Sequence, residues 1–172
     1  MERSPHAKKV LVGALVLLVA VVAVVLIVRS GGDDGGSSAD ASAVSTDLSK
    51  KPDVPVPEGD PPTGLESTDI VEGDGDVAET GDTVKVQYVG VDYATGEQFD
   101  ASWDNGQPFT FQLGGGQVIP GWDQGVTGMK VGGRRELVIP PDLAYGAQGS
   151  PPAIGPDATL VFVIDLLDVK SN

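Results

Sequence analysis

Residues 116–146 read GQVIPGWDQGVTGMKVGGRRELVIPPDLAYG, and the order of signals in this stretch decides the fold. Gly114, Gly115 and Gly116 break the extended run ahead of it. PGWDQGVT, residues 120–127, predicts one short helix with Pro120 in its first turn, where the missing N–H has no helical partner to lose. RRELVI, residues 134–139, predicts a strand. Residues 140–156 hold five of the 13 prolines and predict a long loop. One short helix is therefore set between extended segments.

Outward from this stretch the pattern has a period of two. In TVKVQYVGV, residues 83–91, Val84, Val86 and Tyr88 fall on one face, and Lys85 and Gln87 on the other. Residues 94–97 form a turn, and 98–100 resume extended structure. Phe109, Phe111 and Leu113 alternate with Thr110 and Gln112. TLVFVIDLLDV, residues 159–169, is a long apolar strand near the C-terminus. About five strands and one helix with short or irregular connections predict an α+β domain. Its antiparallel sheet is curved or barrel-like, and the apolar face packs on the helix.

Towards the N-terminus, VEGDGDVAETGD (71–82) holds Asp74 and Asp76 beside glycines. The further acidic ligands of a calcium loop are missing, so a turn is expected. KKPDVPVPEGDPPT (50–63) has five prolines and is expected as an extended lead-in or edge strand. SGGDDGGSSADASAVSTDLS (30–49) has almost no large apolar residue and is expected to be a flexible tether.

Before the tether runs VLVGALVLLVAVVAVVLIV, residues 10–28, nineteen residues without a charge. As a helix it extends roughly 28 Å, the thickness of a bilayer core. It is longer than a signal-peptide core, and it ends in Leu26-Ile27-Val28-Arg29 with no Ala-x-Ala site before the linker, so an uncleaved anchor is expected. Arg3, Lys8 and Lys9 precede it; only Arg29 follows, ahead of Asp33 and Asp34. This asymmetry places the N-terminus in the cytoplasm and the rest outside. The expected division is a cytoplasmic N-terminus at 1–9, a transmembrane helix at 10–28, a linker at 29–49 and a folded domain at 50–172 with its core at 81–169. The expected location is a single-pass protein of the cell membrane with an extracytoplasmic C-terminal domain.

Composition removes several chemistries. There is no cysteine, and the only histidine is His6, ahead of the apolar run. The domain therefore has no imidazole for a Ser-His-Asp triad and lacks the usual zinc ligands. Net charge is −14, and beyond position 29 seven Lys/Arg face 24 Asp/Glu. Such a domain repels phosphate backbones, so nucleic acid is not an expected partner. No nucleophile elbow, Walker loop or zinc helix is present. All nine aromatic residues fall between Tyr88 and Phe162. Without further context such a set is read as core.

Its neighbours resemble the FKBP family of prolyl isomerases. The resemblance rests on an ordered series: VKVQYVG, GEQFDAS, QPFTFQLG, the 116–146 stretch itself, and PAIGPDATLVFVIDLLDV. VIPGW followed by MKVGG and LAYG at these spacings carries most of it. KPDVPVPEG and DIVEGDG are similar to the lead-in of bacterial members. The resemblance implies a five-stranded antiparallel half-barrel wrapped on one short helix. It implies catalytic roles for Asp100, Tyr145, Tyr88 and Trp122. Trp122 would floor an apolar pocket, with Phe99, Phe109, Val118, Ile119 and Phe162 as walls and Ile154 beside Tyr145 in the loop above. Members often carry a basic residue after the Phe-Asp pair; here Asn105 stands there, which removes an ion pair for Asp100. Trp103 is an added aromatic expected at the rim, and Ser150 and Ala153 replace bulkier loop residues.

The implied chemistry needs no nucleophile, cofactor or metal. Rotation about X-Pro is slow because the amide has partial double-bond character, with a barrier of about 18–20 kcal/mol. The twisted amide loses charge separation, so an apolar pocket favours it over the planar form. Implied partners are proline-containing polypeptide clients, macrolide inhibitors of the family, and the membrane through the N-terminal helix. A proline-peptide binding or chaperone module with little turnover is the alternative.

Overall fold

The computed structural model describes residues 44–172. The expected anchor at 10–28 and the linker up to residue 43 lie outside the described residues. Among the described residues no helix is long and apolar enough to cross a membrane.

Six strands form one antiparallel sheet: β1 Glu66–Val71, β2 Thr83–Asp92, β3 Gln98–Ala101, β4 Phe109–Gln112, β5 Arg134–Ile139 and β6 Leu160–Lys170. Their order is β1-β5-β6-β2-β3, with β4 also on β2. The long strand β6 fills one edge of β2, from Thr83↔Lys170 to Asp92↔Leu160. β3 and β4 therefore share the other edge end to end, at Val89↔Ala101 and Val86↔Phe109. Six strands thus occupy five sheet positions. The strand that alternation did not reveal is β1, ESTDIV, whose first four residues are exposed. It is held at an edge by polar contacts, including a bidentate pair from Arg135 to Asp69 at 2.6 and 2.9 Å.

The helix α1, Pro120–Val126, packs on one face of the sheet. Its closeness to β5 depends on two glycines one turn apart. A Cβ on Gly121 would lie 2.4 Å from Ile139, and one on Gly125 would lie 2.5 Å from Leu137. Arg135, on the same face of β5 as those two residues, donates to the Gly125 carbonyl at 2.9 Å and so caps the C-terminal end. At the other end the Asp123 carboxylate accepts from the Gly114 and Gly116 amides at 2.8 and 3.2 Å, tying the glycine turn to the helix.

The opposite face of the sheet is also covered. Val89, Val91, Tyr93, Ala101, Val138 and Val161 form a second apolar cluster, joined by Val54 and Trp103. The expected rim aromatic Trp103 therefore belongs to this back face and not to the helix side. Period two explains the difference: Val89 and Val91 point away from Tyr88. The lead-in forms no strand but runs as a strap across this face. Arg134, fully buried, pairs with Asp165 across β5 and β6, with Nη2–Oδ2 at 2.7 Å. Its Nη1 and Nη2 also donate to the backbone carbonyls of Ser45 and of Lys50, the latter at 3.1 Å. Val44 is buried, so residues 44–49, read from composition as the end of the tether, lie against the domain.

Candidate functional site

Trp122 is the hub of the helix-side core. Its ring meets Tyr88 edge-on at 5.0 Å and Phe162 edge-on at 5.2 Å. Phe111 lies at 5.6 Å and Phe109 at 6.2 Å, and Phe162 in turn carries Phe99 at 5.5 Å. Edge-to-face contacts at these separations are the favoured aromatic geometry. They draw together five elements: Tyr88 from β2, Phe99 from β3, Phe109 and Phe111 from β4, Trp122 from α1 and Phe162 from β6. Trp122, Phe162, Tyr88 and Phe99 are nearly buried, as is Ile154 of the loop. Phe109, Val118, Ile119 and Tyr145 are half-buried and form the margin. The Trp122 indole N–H is buried without an acceptor.

The polar groups lie beside the rings. The Tyr88 hydroxyl donates to Asp100 Oδ2 at 2.6 Å. Burial pushes the Tyr88 phenol far above its ordinary value, and the bond to Asp100 adds to this. Burial also raises the Asp100 carboxyl, opposed by the Tyr88 bond and the Ala101 amide and reinforced by Asp104. No cation is among the groups that shift Asp100. Asn105 does not replace one, because its amide donates to the Ala101 carbonyl at 3.5 Å. Lys51 of the strap pairs with Asp104 instead, at 2.7 Å. Tyr145, between the 3-10 turns Pro141–Leu143 and Gly146–Gln148, is pushed up to about 12 by burial and by the Asp100 charge. The loop that brings Ile154 in is closed by reciprocal Ser150–Ile154 backbone bonds at 2.9 and 3.0 Å.

All ten residues expected at the site thus fall on one side of the sheet, nine of them in or against the aromatic cluster that includes Trp122, and Asp100 bonded to its edge through Tyr88. Sequence reasoning assigned no part to three others. Phe111 packs on Trp122 and stacks on Phe109 at 5.6 Å. Gly90 leaves space for two rings: a Cβ there would lie 2.7 Å from both Phe99 and Phe162. Ser102 bonds the Tyr88 backbone. Phe111 was marked by alternation; the other two carry no signal apart from the pairing of strands. Among the described residues no cluster of acidic or imidazole groups is arranged to hold a metal ion.

A sequence profile described as FKBP-type peptidyl-prolyl cis-trans isomerase matches residues 75–167. The chain belongs to this family. It is 61% identical over 121 residues to an FK506-binding protein of Streptomyces anulatus, covering 70% of this chain and 98% of the relative. A probable FK506-binding protein of Corynebacterium glutamicum is 51% identical over 118 residues, 69% of this chain and 98% of its own. The yeast peptidyl-prolyl cis-trans isomerase FPR2 is 54% identical over 94 residues, 55% of this chain and 70% of that protein. The crystal structure of FkpA from Escherichia coli superposes with a TM-score of 0.58 at 46% identity, covering 63% of this chain and about half (49%) of that one. The chain is accordingly a peptidyl-prolyl cis-trans isomerase, and the antiparallel sheet with one short helix is the fold of that family. The isomerase matches the Streptomyces and Corynebacterium relatives over nearly their whole length, and the first 43 residues lie ahead of the described domain.

Proposed function

We propose that this isomerase turns X-Pro bonds in exported or membrane polypeptides outside the cytoplasm, held at the membrane by a helix over residues 10–28. The observation that carries the site is Trp122 at the centre of a ring of aromatics, with Tyr88, Asp100 and Tyr145 beside it. The substrate proline ring seats against Trp122, among Phe99, Phe109, Phe162, Val118, Ile119 and Ile154. Around so apolar a wall the planar, charge-separated amide is less well solvated than the twisted one, which lowers the barrier. The Tyr145 hydroxyl donates to the substrate carbonyl. Asp100, through Tyr88, polarises the edge of the site near the rotating bond. Macrolides of the kind named in the FK506-binding relatives compete for the same wall.

The location rests on the uncharged nineteen-residue run and on the cations that precede it. X-Pro isomerisation takes tens of seconds and limits folding, so an isomerase held where chains emerge shortens that step. The test has two arms. Proline-peptide isomerisation by the full chain is expected to be abolished by a macrolide of this class, and turnover that persists at saturating macrolide refutes the site. Protease added to cells stripped of outer barriers is expected to release the domain. A protected domain, or a mature chain that begins after Arg29, refutes the topology.

A further inference from the structure

We infer that Ser102 is a positioning residue for isomerisation: its hydroxyl holds the β2 backbone at Tyr88, and through it the Tyr88–Asp100 contact. The inference rests on the proposed role of Asp100.

The argument starts from a gap in the sheet. β3 leaves β2 after Val89↔Ala101, and β4 rejoins it at Val86↔Phe109. Between them the chain turns away through Ser102–Asn105. The Tyr88 amide faces this gap, past the last β3 pairing and before the β4 pairing begins. An unpaired buried N–H is costly, so something must fill the place. Ser102, itself buried, does so: its Oγ accepts from the Tyr88 N–H at 2.8 Å and its hydroxyl proton goes to Gln87 Oε1. The Tyr88 carbonyl, at 3.4 Å, is the alternative acceptor for that same proton.

One serine therefore fixes the backbone N–H of the residue whose phenol holds Asp100. It also fixes the start of the turn two residues after Asp100, so both ends of the Tyr88–Asp100 contact are set by the same hydroxyl. An alanine keeps the shape but leaves the Tyr88 N–H without an acceptor. The strand then shifts or admits water, and the 2.6 Å contact lengthens. The groups facing Asp100 are Tyr88, Tyr145 and Asp104, the last neutralised by Lys51. Tyr88 is the only side chain among them that favours the ionised carboxylate. Losing it moves the Asp100 ionisation to higher pH.

The test compares kcat/KM against pH for the full chain and for Ser102→Ala, Asp100→Asn, both together, and Ser102→Thr, each at a temperature where circular dichroism shows it folded. Ser102→Ala is expected to lower kcat/KM about three- to tenfold, the loss of one hydrogen bond, and to move the acid limb to higher pH. Asp100→Asn removes that limb, and adding Ser102→Ala to it changes the rate less than about twofold, because coupled residues do not add. Ser102→Thr, which keeps the hydroxyl, restores the limb. If Ser102→Ala is folded and its limb is unmoved while Asp100→Asn is impaired, Ser102 is structural and the inference falls alone. If Asp100→Asn has parental activity and pH dependence, the role of Asp100 falls and the inference with it. Should the alanine variant not fold, Ser102→Cys takes its place, because a thiol is a far weaker acceptor for the Tyr88 N–H; the limb is expected to move the same way, and an unmoved limb overturns the proposal.

Discussion

Asp100 is a buried carboxylate whose side chain answers to a phenol and to no cation. Burial is the largest influence on it and raises its ionisation. The sign of the consequence is fixed. A group easier to protonate in the folded state weakens the fold as pH rises through the interval between its unfolded and folded values. Asp100→Asn is therefore expected to keep or raise Tm at neutral pH while lowering kcat/KM modestly. A marked fall in Tm with unchanged kcat/KM would make Asp100 a structural residue. Trp122 permits a second measurement, because the other tryptophan lies on the far face of the sheet. In a Trp103→Phe background, emission from Trp122 is expected to change saturably as a proline peptide or macrolide is titrated. In the converse Trp122→Phe background the emission of Trp103 stays constant. A silent Trp122 at ligand concentrations that inhibit turnover would remove it from the site.

At the scale of elements, α1 is short and owes its place to what it lacks. Gly121 and Gly125 let it lie against Ile139 and Leu137. Gly125→Ala, despite a gain in helix propensity, is expected to destabilise by about 1–3 kcal/mol through overpacking. Urea unfolding checks this, and kcat/KM is expected to fall too, because Trp122 rides on the same turn. The helix, β2, β4, β5 and β6 were legible because a break, a proline or strict alternation marks each one. β1 was not, because four exposed polar residues in a row give no period and its place is set by pairing with β5. The candidate site was legible through the ordered motifs, since a Trp after VIPG and an Asp after Phe mark residues that the fold brings together. What supports them was not. Gly90 and Ser102 take their roles from partners 9–72 residues away in the chain. The side of the sheet that Trp103 takes follows from the turn after β3 and not from its composition.

Across the whole molecule the two faces of the sheet are built differently. The helix side centres on clustered aromatic rings; the back combines mainly aliphatic residues and the separate rings of Tyr93 and Trp103 with a buried ion pair and the buried Glu136. Removing one member of a buried pair leaves an uncompensated charge, so Arg134→Leu is expected to cost about 3–5 kcal/mol in urea unfolding. Its loss also deprives the Ser45 and Lys50 carbonyls of their donor. Glu136 is raised by burial alone. The parent chain therefore loses stability as pH climbs from the ordinary glutamate range through that raised value. Glu136→Gln escapes the loss, so its gain in Tm is expected to be larger at neutral pH than at about pH 4. An equal gain at both would mean that Glu136 ionises alike in the folded and unfolded chain.

The strap has a mechanical consequence. It enters on the face opposite Trp122, and its first fixed points are Val44 and the carbonyls held by Arg134. A pull on the chain ahead of residue 44 is therefore borne by that clasp and peels residues 44–50 from the back before any force reaches the aromatic wall. With a tether handle at the N-terminus and another at Asn172, single-molecule stretching is expected to give a small early release at low force. Seven freed residues correspond to about 25 Å of chain. The main rupture follows at higher force, and a bound macrolide strengthens the second event without changing the first. A single rupture would mean that strap and sheet yield together, so that tension on the preceding chain reaches the aromatic face directly.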